Sequence, residues 1–179
     1  MTLDQTIQVW MAVGTWLAGV ATLAAVIVAL HLARRAERIR LKVHVGHRVV
    51  IIGDGSPFQE HLSISVTNLG ERAVTINSVG WAVGKGSQRK YCIQPVSGPF
   101  TTQFPVELAH GKNANFMVSF LATPNWLREF STGFIKDLSD RSINTLVVQI
   151  HTSVGETIEV RPEGDLIRKL KESATVATG

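Results

Sequence analysis

The chain has 179 residues, 18 of them Lys or Arg and 14 Asp or Glu, giving a formal charge of +4 that is concentrated in one place. Six basic residues and one acid lie between Arg34 and Arg48, and the remainder is close to neutral, which excludes the broad basic footprint of a nucleic-acid-binding domain. The single cysteine, Cys92, excludes an intramolecular disulfide and fits a reducing compartment.

Gln5 to Ala33 holds no Asp, Glu, Lys or Arg. At about 1.5 Å per residue, the apolar run from Ile7 to Leu30 measures roughly 36 Å as a helix, against a hydrocarbon slab of about 30 Å. A central Asp, Lys or Arg would oppose insertion by about 2.5 to 3.5 kcal/mol, and none is present. Residues 1–33 are therefore predicted to form a transmembrane helix with the lipid bilayer as partner. A retained anchor is expected rather than a cleaved signal peptide, because the leader MTLDQ is acidic and the run exceeds the usual apolar core of about 7 to 15 residues. Trp10 and Trp16 suit the membrane interface near its start.

A basic juxtamembrane segment, 34–42, follows, in which Arg34, Arg35, Arg38, Arg40 and Lys42 are expected at the membrane surface. The leader offers only Asp4 and the terminal amine, so the positive-inside rule places the N-terminus outside and the C-terminal domain in the cytoplasm, in an inner or plasma membrane. Gly14, Ala18 and Thr22, four apart, form a small-residue row along which two helices can associate, and Ala21, Ala25 and Ala29 form another; homo-oligomerisation through the helix follows as a hypothesis.

Beyond the anchor the chain reads as strands. Leu41, Val43 and Val45 alternate with Lys42 and His44, and Val49 to Ile52 run into the Gly53–Pro57 turn. Leu62, Ile64 and Val66 alternate with Ser63, Ser65 and Thr67, then Asn68 to Arg72 turn. Val74 and Ile76 alternate before a register shift around Val79 to Val83. Gly84-Lys85-Gly86-Ser87 resembles a phosphate loop, but Val79 stands where such a loop needs Gly, and QRKYCI continues as a strand rather than a helix; a hairpin turn is predicted. Gln94 to Pro105 is an irregular crossing. Val106 and Leu108 make a short strand, His110 to Asn113 a turn, and Phe116, Val118 and Phe120 another strand. Thr123-Pro124 reads as a helix start, with Trp126, Leu127, Phe130, Phe134, Ile135 and Leu138 giving an amphipathic helix to about Leu138. Two strands joined around Ser153 to Glu156 follow, and Asp165 is placed as the cap of a short final helix presenting Leu166, Ile167 and Leu170. Seven to nine strands over 43–172 predict a mainly β fold, an antiparallel β-sandwich with a small barrel as the alternative, followed by a flexible tail at 173–179.

The candidate chemistry is thin. His44, His47 and His61 are the closest histidine grouping, but residues three apart on a strand face opposite ways, so no metal site is expected. No GxSxG elbow presents a serine, Cys92 lies in a strand where a buried thiol is inert, and Asp137 and Asp140 read as solvated. Trp81, Phe116, Phe120, Trp126, Phe130 and Phe134 belong to a core by their spacing. No catalytic residue and no cofactor are expected.

The pattern SVTNLGERAVTINSVGW, with PVELAHG and a W-L helix further on, resembles bacterial and phage-encoded single-pass membrane proteins carrying an immunoglobulin-like domain, over roughly Leu62 to Glu159. The resemblance implies sandwich topology and tethering, without the cysteine pair of antibody domains. The expected function is a non-enzymatic, membrane-tethered interaction or assembly module with a protein partner. The alternative is a membrane effector whose helix oligomerises and perturbs the bilayer when the β domain senses a trigger.

Overall fold

The computed structural model describes residues 3–51, 58–121, 126–135 and 140–176, and it divides into two compact units, Met1–Arg38 and Ile39–Gly179. In the first, the uncharged stretch forms one helix, α1 (Leu3–Ala36), about 51 Å long at 1.5 Å per residue. From Leu3 to Arg34 it is long and apolar enough to cross a membrane, and its most apolar window is wholly exposed. Two of its polar side chains are satisfied locally, since the Thr15 and Thr22 hydroxyls donate to Met11 O and Ala18 O at 2.9 and 2.8 Å. The helix passes residue 33 and takes in Arg34 and Arg35, so the basic segment 34–42 is partly helical.

In the second unit the period-two alternation becomes eight strands: β1 (Leu41–Val50), β2 (Gln59–Asn68), β3 (Val74–Val83), β4 (Lys90–Ile93), β5 (Val106–Leu108), β6 (Asn113–Ser119), β7 (Val147–Thr152) and β8 (Thr157–Val160). All pairings are antiparallel. They form two sheets, one ordered β1-β2-β6 and the other β4-β3-β7-β8, with β5 added to β3 beside β4. The register puts Val43 opposite Val66 and Val45 opposite Ile64, and sets Trp81 between Cys92 and Val148. Their inward side chains share one core, with Ile64, Trp81, Phe116 and Ile150 fully enclosed. The shift expected near Val79 is a bulge between Ile76 and Ser78, which lets Val74 and Ile76 point inward and then Val79, Trp81 and Val83 do the same.

The turn at His110 to Asn113 links strands of different sheets, because β5 pairs with β3 whereas β6 pairs with β2. One residue anchors it. Asn68 donates from Nδ2 to Arg72 O and Leu108 O and accepts from Gly70 N, each at 2.8 Å. Its backbone adds Gly111 N to Asn68 O at 2.8 Å and Asn68 N to Lys112 O at 3.0 Å.

The helix expected from Thr123 to Leu138 is different in kind. Trp126–Arg128 is α-helical (α2), but Glu129–Ile135 is a π-helix, and another short helix, α3 (Asp140–Ile143), follows. Trp126, Phe130 and Phe134 recur every four residues rather than every 3.6, and a wider turn keeps all three rings on the core side. Thr123, Pro124, Asp137, Leu138 and the Gly53–Pro57 turn lie outside the described residues. The final helix, α4 (Gly164–Val176), extends into the stretch expected to be a loose tail, leaving 177–179 outside the described residues. Leu166 and Leu170 anchor it in the core, and the Asp165 carboxylate accepts from Leu166 N at 2.6 Å.

Two glycines mark close approaches with opposite consequences. A Cβ on Gly80 would stand 2.7 Å from the Cys92 backbone carbonyl, whereas one on Gly46 would meet only the movable ends of Glu163 and Arg48. Gly80→Ala should therefore cost about 1–3 kcal/mol by displacing β4, and Gly46→Ala well under 1 kcal/mol. Comparing the urea midpoints of the two variants checks this; equal midpoints would contradict it.

Candidate functional site

A sheet edge offers unpaired N–H and C=O groups to any chain that can reach them, and proteins usually cover such edges. Here two of them are covered from within. Glu163 N donates to Val45 O at 2.8 Å, strapping the chain after β8 over the outer side of β1. Thr102 N donates to Asn115 O at 2.8 Å, while the Thr101 and Thr102 hydroxyls accept from Met117 N and Asn115 N, so the irregular crossing covers the outer side of β6. β8 faces solvent with Thr157 and Glu159. β4 differs: among the described residues no backbone group pairs with its outer side, and its outward side chains are Tyr91 and Ile93, exposed by 61% and 70%.

Beside β4 lies a groove of about 400 Å³. Cys92, Ile93 and Gln94 form one wall; Trp126, Phe130 and Phe134 of the helical crossing form the other, with Glu129 the one charged residue among the described lining residues. The aromatic wall is held by a continuous run of rings. His47 stacks on Phe120 at 5.5 Å, Phe120 on Trp126 at 5.7 Å and Trp126 on Phe130 at 4.9 Å, with Trp81 beneath Phe130 at 4.8 Å and Phe134 beyond it at 5.3 Å. Gln94 is fixed at the back of the groove: its Oε1 accepts from Trp81 Nε1 at 3.1 Å and its Nε2 donates to Pro95 O at 2.8 Å.

Burial pushes the Cys92 thiol up to about 11, outweighing the lowering by its backbone hydrogen bond at Trp81. At pH 8 it is therefore almost wholly protonated and a poor nucleophile. Its alkylation at pH 8 should run on the order of a hundredfold slower than that of a free cysteine, whose thiol titrates near 8.5, and should still be climbing at pH 10. Rates measured with an uncharged maleimide test this; a plateau below pH 9 would contradict it.

The remaining candidates do not assemble into a site. His44 is on the outer face of β1, 3.9 Å from Glu163, whereas His47 is on the inner face, 3.3 Å from Glu60. His61 is opposite Arg48 and edge-on to Phe100. No group of three His, Cys, Asp or Glu suited to a metal ion occurs among the described residues. Glu60 is held below the usual carboxylate range chiefly by the hydrogen bond from Lys169, which ties α4 to β2, and Glu159 likewise by Arg89.

No family model matches the chain, and no curated protein matches it. Among solved structures, a Bordetella pertussis protein provisionally named ApaA is similar at 16% identity and a TM-score of 0.34, over 70% of this chain and 89% of that one. The structural-genomics target SoR45 is similar at 10% identity and a TM-score of 0.30, over 70% and 82%. Neither likeness brings an activity with it.

The five cations expected at the membrane surface are divided between the two units. Arg34 and Arg38 are exposed in the first, where Arg35 lies on α1, and Arg40 and Lys42 are exposed in the second. Gly14, Ala18 and Thr22 lie along one side of α1, with open space around Gly14. The β4 groove escapes a reading of the sequence because its walls come from segments more than thirty residues apart. The one local signal was the pair of apolar residues, Tyr91 and Ile93, on the solvent side of a short strand.

Proposed function

We propose that this chain is a single-pass, membrane-tethered and non-enzymatic interaction module. α1 crosses the bilayer with its N-terminus outside, and the second unit folds in the cytoplasm as an immunoglobulin-like β-sandwich. An extended segment of a partner protein adds to β4. The observation that carries this reading is the β4 edge, uncovered among the described residues, with its aromatic groove, in a domain that straps over β1 and β6.

The strand order supports the fold assignment. β1-β2-β6 corresponds to strands A, B and E, and β4-β3-β7-β8 to C′, C, F and G, with Trp81 on β3 where such domains bury a tryptophan on strand C. In place of the antibody disulfide, Trp81 packs on Trp126 and Phe130. The uncharged α1 and the cations after it support the tether and its orientation. The sequence resemblance to bacterial and phage single-pass proteins agrees with both.

Four residues of β4 span about 13 Å, and a pairing of that length makes two or three bonds at a net 0.5–1.5 kcal/mol each. Micromolar affinity needs about 8 kcal/mol, so side chains seated in the groove must supply most of it. With Glu129 at the rim, the partner segment carries apolar residues and a Lys or Arg.

A photo-crosslinking residue placed at Ile93 or, as control, at Thr157 in the membrane-embedded chain tests this. Adducts to one protein from position 93 alone, lost in Glu129→Lys, are expected. Equal adducts from both positions, or adducts indifferent to Glu129→Lys, would overturn it. Growth arrest on expressing residues 1–45 alone would favour a bilayer-perturbing effector instead.

A further inference from the structure

The turn between β3 and β4 is a hairpin and not a P-loop: Val83 pairs with Lys90, a single 3-10 turn (Gly86–Gln88) leads into β4 where a P-loop would open an α-helix, and Gly84 and Gly86 adopt φ of 94° and 56°. It nevertheless gathers charge. Lys85, Arg89 and Lys90, with Ser87 between them, line a pocket of about 500 Å³ whose apolar side is made by Val83 and Ile135. No carboxylate is among the described lining residues. Arg89 lies over the Tyr91 ring at 5.4 Å and is held by Glu159, yet its Nε is buried with no hydrogen-bond partner. Lys85 and Lys90 are exposed, and among the described residues neither has an ion-pair partner.

We propose that this pocket binds a phosphate monoester. Two unpaired ammonium groups beside a fixed guanidinium and a hydroxyl match a doubly charged tetrahedral oxyanion, which carries acceptors on every side and takes Lys as a point-charge partner. The volume falls within the range of small-molecule pockets and exceeds what bare phosphate would fill, so the apolar side receives the organic part of the ester. A nucleic-acid backbone does not fit, because the rest of the unit is near neutral and offers no continuing basic track. The phosphate can belong to a soluble ester or to a phosphorylated lipid headgroup, and the chemistry of recognition is the same for both. This site is separate from the β4 groove and does not depend on the partner proposed for it.

The test uses the full chain in phosphatidylcholine nanodiscs, with backbone amide chemical shifts as readout. The probes are phenyl phosphate in solution and phosphatidylinositol 4-phosphate incorporated in the disc. Saturable shifts centred on residues 84 to 90 are expected, weakened at least about tenfold in Lys85→Gln/Lys90→Gln and restored in Lys85→Arg/Lys90→Arg. Lys112→Gln, an exposed cation on the turn between β5 and β6, should leave them unchanged. A response to phenyl phosphate assigns the soluble source, and a response to the lipid alone assigns the headgroup. No saturable shift from either probe up to about 10 mM, or shifts that the double Gln variant leaves within twofold, would overturn the proposal.

Discussion

Trp81→Ala is expected to be the most damaging single change in the second unit, lowering its stability by about 3–5 kcal/mol out of the roughly 5–15 typical of a domain. The indole is wholly buried on β3 and touches Trp126 and Phe130, so its removal opens a cavity at the junction of sheet and helical crossing. It also deprives Gln94 Oε1 of its donor, leaving a buried acceptor unpaired. Because Trp126 and Phe130 form the groove wall, the groove should loosen before the sheets do. Hydrogen exchange on the full chain in mild detergent checks this. The amides of 126–135 should lose protection most, and β1 and β2, across the core, least. Trp81→Phe should recover about half of the loss. Uniform loss across both sheets, or none, would contradict the assignment of Trp81 as the crossing's anchor.

Asn68→Ala should rank next, at about 2–5 kcal/mol, for a different reason. It removes little volume but strands Gly70 N and the buried Leu108 O, each at about 1–3 kcal/mol, and also frees Arg72 O. Asn68→Asp should do no better, since a carboxylate keeps the bond from Gly70 N but cannot donate to the two carbonyls and would be charged where the side chain is fully buried. Asn113→Ala, at an exposed strand end of the same turn region, should stay within about 0.5 kcal/mol and serves as control. Urea midpoints of the three variants decide the matter, and a cost for Asn68→Ala below that of Asn113→Ala would sink it.

These two residues also show how far the sequence can be read. The strands are legible because each buries one face, so Leu62, Ile64 and Val66 announce themselves against Ser63, Ser65 and Thr67. The partner of each strand is not legible. Nothing in the alternation of Val106 and Leu108 tells that they join β3 while Phe116 and Val118 join β2, and the residue that enforces the change of sheet, Asn68, reads locally as one more turn residue. The aromatic crossing is half legible: its spacing of four gives a helix and a buried face, whereas the π-helical turn, with Trp126 and Phe130 packed on Trp81 and Phe134 on Phe130, shows only in the structure. At the Gly84–Ser87 turn the hairpin follows from sequence, whereas the pocket requires Ile135 and Ser142, some fifty residues on.

The tether itself is tested most directly by accessibility in sealed cells. In a Cys92→Ser background, Thr2→Cys and Thr178→Cys variants of the full chain are exposed to a membrane-impermeant maleimide before and after permeabilisation. Thr2→Cys should label in intact cells and Thr178→Cys only after permeabilisation, with both proteins staying in the membrane pellet through an alkaline wash. Labelling of Thr178→Cys in sealed cells would contradict the orientation, and release of the chain into the wash would contradict the membrane span.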